Sequence, residues 1–215
     1  MSDIAVEFYN IVYRDILESK KILKEEGFYK CALENFAFAG HIMNSFNSIA
    51  NNVPGAGQSA KRRTEKKKWR EEFLQKYHSQ YHCLANFWIL PMSIGRTDTK
   101  WNNYDSVDIF LNELKEDFSV LKEYADYFER LKTYDNFCEK HFIVGCEPLP
   151  TDAVYEMYHK RLNNKPKTET KFREDAKKLI EQAYNVMESR AESIASNDYV
   201  CEELYERFDE LKILY

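Results

Sequence analysis

The chain has 215 residues, of which 44% are hydrophobic and 31% charged, proportions typical of a globular domain and not of a disordered chain. Six glycines and five prolines are too few for a turn-rich β-sandwich, and no apolar run approaches the roughly 20 residues that span a bilayer. Five widely spaced cysteines without a Cys-x-x-Cys pair indicate neither a disulfide framework nor a thiolate zinc site. The N-terminus has no apolar signal-peptide region, so we expect a cytoplasmic protein.

Helical periodicity dominates the first part of the chain. Apolar residues spaced three and four apart predict one helix over residues 3–26 and a second over 28–51. Proline and glycines make 53–59 a loop, because both residues interrupt regular structure. The helical period then returns over 65–90, and Pro91 is expected to end this third helix, since the residue before a proline avoids the helical region.

The second part of the chain is predicted to be helical as well. A helix begins near Val107, and its apolar face continues, with breaks, to Phe142. Thr151 or Asp152 is expected to cap a short helix, and two long amphipathic helices fill the last third. Only a short piece at 89–92 is expected to be extended.

These elements predict an all-α fold, an irregular helical bundle with a C-terminal helical extension. We place a helical core domain at residues 1–145 and the extension, packed on that core, at 146–215. The 15 tyrosines and 14 phenylalanines suit a thick helical core, since aromatic rings bury large areas.

Polar residues inside the apolar segments are the first candidate site. Such groups are costly to bury unless each finds a partner, so they are either structural pins or parts of a ligand pocket. If they form a pocket, the arginine would neutralise a phosphate of the ligand, the asparagine amides would form hydrogen bonds to its polar edges, and the tryptophan would stack on its ring. The candidate ligand-binding residues are Asn44, Ser45, His82, Asn86, Trp88 and Arg96.

A basic segment is the second candidate. Residues 61–70 carry seven Lys or Arg against one Glu, a charge of +6, so the remaining 24 basic and 35 acidic residues leave −11 on the rest of the chain. A basic patch of this kind can contact phosphates, or it can simply be a solvated helix start. The residues proposed as the anion patch are Lys61, Arg62, Arg63, Lys66 and Lys67.

Histidines give an alternative site. His78 and His82 are four residues apart, so on a helix they could bind one divalent metal, with His41 brought in by the fold. The Glu that lies between the two histidines in zincin metalloproteases is missing. In the alternative without a metal, His78 is exposed to solvent and His82 forms a hydrogen bond to a neighbouring helix. We therefore expect no cofactor, with a divalent metal as the alternative.

The block Tyr81-His82-Cys83-Leu84-Ala85-Asn86-Phe87-Trp88-Ile89-Leu90-Pro91-Met92, with Gly95-Arg96, resembles an uncharacterised bacterial family of unknown function. Two further elements resemble the same family: Gly40 to Phe46, and Tyr127-Phe128 through Phe142. The family has an acidic residue where this chain has His41, and the resemblance implies no activity. A weaker likeness is to HNH-type restriction nucleases, and it rests on His41-Ile42 and on Ala85 to Leu90. The later Asn and Lys elements of the HNH site are absent from this chain.

Three functions follow as expectations. The first is a cytosolic bacterial binding protein, without catalysis, that holds a nucleotide or nucleic acid in the polar pocket. The second is a metal-dependent, HNH-like nuclease or phosphohydrolase that uses His41, His78 and His82. The third is a protein-interaction module, in phage defence or its inhibition, that docks a protein partner through its C-terminal helices and exposes an apolar stripe including Leu179, Met187 or Phe208. No membrane partner is expected.

Overall fold

The architecture comes from a computed structural model of the chain. It describes residues 3–17, 22–25, 28–31, 36–40, 46, 49–50, 53, 71–81, 83–91, 107–119, 130–154, 156–157 and 169–211.

Helices make up most of the described part, which confirms the predicted all-α class. They are α1 (Asp3–Val12), α2 (Arg14–Leu17), α3 (Glu72–Gln80), α4 (Val107–Glu116), α5 (Tyr134–Lys140), α6 (Glu169–Ala195) and α7 (Asp198–Leu211), with a 3-10 turn at Leu84–Asn86. The two long C-terminal helices predicted from periodicity are α6 and α7. None of the described helices is long and apolar enough to cross a bilayer.

Two small antiparallel sheets interrupt the helices. Strand β1 (Ile22–Glu25) pairs with β2 (Phe28–Cys31), and β3 (Phe36–Gly40) pairs with β4 (Phe87–Pro91). The second pair is in register from Phe36 opposite Pro91 to Gly40 opposite Phe87. It therefore joins segments that lie about fifty positions apart along the chain.

The three N-terminal helices predicted from periodicity are wrong in part. Residues 22–25, 28–31 and 36–40 are strands, and in the described part of the helix predicted over 65–90 the only α-helix is α3, because the chain turns at Tyr81. Short apolar runs fit a strand as well as a helix, and pairing with a distant strand decides between them. The extended conformation predicted for 89–92 is confirmed at 89–91.

The first of two core clusters surrounds α1. This helix is apolar nearly all round, and its Phe8 and Tyr9, with Ile16 of α2, are among the largest fully buried side chains. Trp88 and Ile89 of β4, the apolar face of α4, and Phe137 of α5 close the cluster, together with Leu131, Ile143 and Val200. These residues, distant in sequence, share one core, which lies mainly in the first two thirds of the chain.

The second cluster lies between α3 and α6. Phe73, Leu74 and Tyr77 of α3 pack on the apolar face of α6, and the cluster also includes Phe46, Ile49, Leu149 and Val154. The apolar face of α6 in this cluster consists of Phe172, Ala176, Leu179, Ile180, Ala183 and Met187.

Helix α6 extends from the second cluster to the first. Its Ile194 packs against the first cluster, so one helix connects both cores. Leu179 and Met187 are 9% and 1% exposed, so the exposed apolar stripe expected at these two residues is wrong. The side chain of Phe208 lies outside the described residues, and the boundary between 145 and 146 stays a prediction.

The helical turn at residues 151–154 is stabilised by a residue that is distant in sequence. The carboxylate of Asp108 on α4 accepts hydrogen bonds from the Thr151 amide, at 2.8 Å, and from the Thr151 hydroxyl. A carboxylate that accepts from the first amides of a helix serves as its N-cap. The expected cap by Thr151 or Asp152 is therefore replaced by Asp108, because Thr151 donates its hydroxyl to that carboxylate.

Candidate functional site

The most concentrated group of buried polar side chains lies around Arg190 of α6. Arg190 is 1% exposed, and its guanidinium donates hydrogen bonds to three backbone carbonyls. Nε and Nη2 reach the His141 carbonyl oxygen at 3.0 and 2.9 Å, and Nη1 reaches those of Phe87, at 3.2 Å, and Ala85. Arg190 thereby ties α6 to the end of α5 and to the turn before β4.

The charge of Arg190 is compensated by dipoles. Within the described residues no carboxylate forms an ion pair with its guanidinium, and burial lowers the Arg190 pKa. Carbonyl oxygens at the end of a helix and of a 3-10 turn carry partial negative charge and lack intrahelical donors. The three carbonyls and the guanidinium therefore satisfy each other in a place that water does not reach.

Tyr13 and His141 form the second part of this group. The Tyr13 hydroxyl lies 2.7 Å from His141 Nδ1, and the amide of Ile89 donates to the same hydroxyl oxygen at 3.4 Å. His141 is fully buried against the rings of Trp88 and Phe137, with ring centroids 4.8 and 4.3 Å away. Burial, and then the positive charges of Arg190 and Lys140, lower the pKa of His141 well below its ordinary value, so the imidazole is neutral.

Tyr9 and Asn86 hold the turn that carries these carbonyls. The Tyr9 hydroxyl donates to the carbonyls of Leu84, at 3.3 Å, and Phe87, at 3.4 Å, while Asn86 Nδ2 donates to the Tyr81 carbonyl at 2.6 Å. An irregular buried segment needs side-chain donors because its carbonyls have no regular ladder. Arg190, Tyr9 and Asn86 supply them, and we call these residues, with Tyr13 and His141, the polar core network.

Three of the described cysteines are not activated nucleophiles. Burial raises the thiol pKa of Cys83, Cys138 and Cys146, which keeps these side chains protonated near neutral pH. The phenol pKa values of Tyr9 and Tyr13 are raised for the same reason. Among the described residues, this core therefore contains protonated thiols and phenols together with the buried cation of Arg190.

Two of the predicted ligand-binding residues lie in the described part. Asn86 and Trp88 are both fully buried, and they sit in the turn and in β4, not on one helix with His78. The Asn86 amide makes the structural bond to Tyr81 that the sequence left open as an alternative to ligand contact. Four predicted residues lie outside the described residues: Asn44, Ser45, His82 and Arg96.

The other predicted sites are mostly outside the described part as well. His78 is half-buried on α3, while His41 and His82 are not described. No group of three His, Cys, Asp or Glu that could hold a metal occurs among the described residues. The anion patch also lies outside, namely Lys61, Arg62, Arg63, Lys66 and Lys67.

Sequence reasoning missed Tyr13 and Arg190 as members of a common group. One signal was present, since Arg190 lies three residues after Met187 and four before Ile194, in the apolar stripe of α6. An arginine at an apolar position of a helix indicates a buried charge that must find acceptors. Tyr13 carried no comparable signal, because tyrosine is common in apolar faces.

Two surface pockets are lined by described residues. One, of about 390 Å³, lies beside α1, α5 and the start of α7, and Asp15, Arg130, Glu139 and Lys140 form its charged rim. The other, of about 510 Å³, is the groove between α3 and α6. Both rims mix acidic and basic groups, so neither has the uniform positive field that attracts a polyanion.

Comparison of the chain with protein-family models, with curated proteins and with solved structures finds no match.

Proposed function

We propose that this chain is a non-catalytic binding protein for an anionic ligand of the nucleotide or nucleic-acid class, which it contacts through the basic segment at residues 61–70. The observation that carries the proposal is the concentration of seven Lys or Arg in ten residues of an otherwise acidic chain. Phosphate contacts by Lys and Arg supply most of the free energy of sequence-independent nucleic-acid binding.

The absence of activated groups in the described core favours binding over catalysis. A general base needs a pKa near the working pH, and a nucleophile needs a lowered one. The pKa of His141 is lowered, which makes it a poor proton acceptor, and those of Cys83, Cys138 and Cys146 are raised. These side chains therefore support packing.

The attachment of the basic segment also suits a binding role. The residue that follows the segment, Glu71, lies just before α3 and forms an ion pair with Arg173 of α6. Phe73 and Leu74 are buried one turn later. The residue next to the basic segment is therefore anchored on the described core. Trp69, inside the segment, would stack on a base or a nucleoside ring.

The predicted pocket residues enter the proposal as a second contact. Arg96 would neutralise a further phosphate, and Asn44 and His82 would bind polar edges of the ligand. Asn86 and Trp88 would support this site from inside, since both are buried. An Arg96→Ala protein with unchanged affinity for the ligand would contradict the pocket, and Arg207→Ala, at an exposed ion pair with Glu7, is the matched control.

The basic segment is tested by charge-matched triple variants. Fluorescence anisotropy with a labelled single-stranded oligonucleotide gives the Kd over a range of salt concentrations. Replacing Lys61, Arg62 and Arg63 by Gln should weaken binding at least about tenfold at low salt and reduce the slope of log K against log salt by about 2, at about 0.7 per phosphate contact. The control replaces Lys171, Lys177 and Lys178 of α6 by Gln, which changes the net charge equally.

The two triples separate a local site from a general charge effect. A loss of affinity that is equal in both variants would mean that only net charge matters and would overturn the proposal, as would a wild-type protein that does not bind the oligonucleotide or a nucleotide. Native mass spectrometry of the purified protein adds an independent observation. A retained nucleotide supports the proposal, whereas one equivalent of retained metal favours the nuclease alternative.

A further inference from the structure

Four segments meet at the His141 side chain, and this meeting does not depend on the proposed function. Tyr13, just after α1, lies at Nδ1, Trp88 of β4 packs on one side of the ring, and Phe137 of α5 packs on another. From α6, the Arg190 guanidinium donates hydrogen bonds to the backbone carbonyl of His141. The state of one imidazole therefore affects contacts between α1, β4, α5 and α6.

The hydrogen bonds define the neutral state of the ring. The hydroxyl oxygen of Tyr13 accepts from the Ile89 amide, which leaves its own proton to donate to Nδ1 of His141. Nδ1 must then be the acceptor, because a neutral imidazole has one donor and one acceptor nitrogen. Protonation would turn Nδ1 into a donor that faces the donor hydroxyl, so the bond from Tyr13 to His141 would be lost or reversed.

The surrounding charges also oppose protonation. Among the described residues, the groups that face the ring are Arg190 from α6, Tyr13 just after α1, and Lys140, the preceding residue at the end of α5. Arg190 and Lys140 are cations, and Tyr13 is a neutral phenol. Lys140 shares its charge with Asp15 through an ion pair of 2.5 Å at the surface, whereas Arg190 has only carbonyl partners among the described residues. A second buried cation would thus stand beside the cation of Arg190.

We propose that the contact of Tyr13, His141 and Arg190 is an acid-sensitive lock: neutral His141 holds α5 and α6 on α1 and β4, and its protonation releases them. Release gives the imidazolium access to water and lets the Arg190 carbonyl partners separate from the guanidinium. The lock would make the C-terminal helices respond to mild acid.

The direction of the pH dependence follows from linkage. The pKa of His141 is lower in the closed state than in the open one, where it approaches the ordinary value of about 6.5. The stabilisation is therefore fully present above about pH 6.5 and is lost as the pH falls toward the closed-state pKa. Over that range the opening equilibrium constant rises by up to about tenfold per pH unit.

Hydrogen exchange measured by mass spectrometry tests the lock on the full chain. Exchange of the α6 peptide around Arg190, corrected for the intrinsic rate, is compared between about pH 7.5 and about pH 5.5. In the wild type, protection should fall by up to about tenfold per pH unit below about pH 6.5. His141→Gln keeps an acceptor for the Tyr13 hydroxyl without a titrating group, so its protection should not depend on pH in this range, whereas His78→Gln should behave as wild type.

A second measurement keeps the proposal testable if His141→Gln does not fold. Ring resonances of the wild-type protein, labelled in histidine, report the protonation of each imidazole. His141 should remain neutral in the folded protein at pH values where an exposed histidine is charged. The proposal is overturned by equal pH dependence in wild type and His141→Gln, or by an imidazole that becomes charged near about pH 6.5 while α6 stays protected.

Discussion

Replacement of Arg190 by methionine should destabilise the protein strongly although it removes a buried charge. The guanidinium donates to the carbonyls of Ala85, Phe87 and His141, and methionine donates to none. Phe87 keeps the Tyr9 hydroxyl, so two carbonyls, those of Ala85 and His141, lose the donors that Arg190 supplied. A buried acceptor without a donor costs about 1–3 kcal/mol, which gives about 2–6 kcal/mol for the pair.

A second effect reduces this loss. Methionine does not have to be desolvated, and replacing buried charges by apolar groups is often neutral or favourable when no partner charge is left behind. Arg190 leaves carbonyls and not a carboxylate, so we expect a net loss near 3 kcal/mol in the free energy of unfolding. The free energy of unfolding of Arg190→Lys should lie between those of the wild type and Arg190→Met, because one ammonium keeps the charge but cannot reach three carbonyls from one position.

Urea unfolding, followed by circular dichroism, measures these changes. Arg173→Met is the matched control, because Arg173 lies on the same helix and pairs with Glu71 with both side chains partly exposed. Such a pair contributes about 1 kcal/mol or less. If Arg190→Met and Arg173→Met lower the free energy of unfolding equally, the polar core network does not have the role that we assign to Arg190.

Three further predictions follow from the described contacts. The Tyr77 hydroxyl is fully buried and has no hydrogen-bond partner among the described residues, so Tyr77→Phe should raise the free energy of unfolding by about 1 kcal/mol in the same urea assay, and a decrease would contradict this. Asp108→Ala removes the N-cap at Thr151 and should cost about 1–2 kcal/mol, whereas Asp152→Ala should cost much less. Because burial raises its thiol pKa, Cys138 should react with a disulfide reagent near neutral pH far more slowly in the native protein than in urea, and equal rates would refute this.

The helices that sequence reasoning located correctly are those with a long, uninterrupted period. In α6 the apolar positions repeat over seven turns, and α7 repeats the pattern after Asn197, whose side-chain oxygen accepts from the Val200 amide. Such a pattern fits no strand, because side chains on a strand alternate between two faces. Local sequence was therefore sufficient for these two elements.

The strands were not predicted, because their sequence pattern is short. Strand β3 reads Phe-Ala-Phe-Ala-Gly, a run short enough to suit either structure, and it pairs with β4 across about fifty intervening positions. A contact of that separation leaves no trace in a local period. The same holds for Asn86, since its place on a helical stripe with His78 depended on a helix that ends at Gln80.

The polar core network also explains why polar residues in apolar segments were a misleading guide to a ligand site. Arg190, Tyr9 and Asn86 all donate to carbonyls of one short stretch, from Tyr81 to Phe87. That stretch leaves α3, turns and enters β4, and its carbonyls at Tyr81, Leu84 and Ala85 accept from side chains outside a regular ladder. The demand for donors therefore arises from the fold itself, and Asn86 meets part of it with a structural bond, which the polarity of the residue alone does not distinguish from a ligand contact.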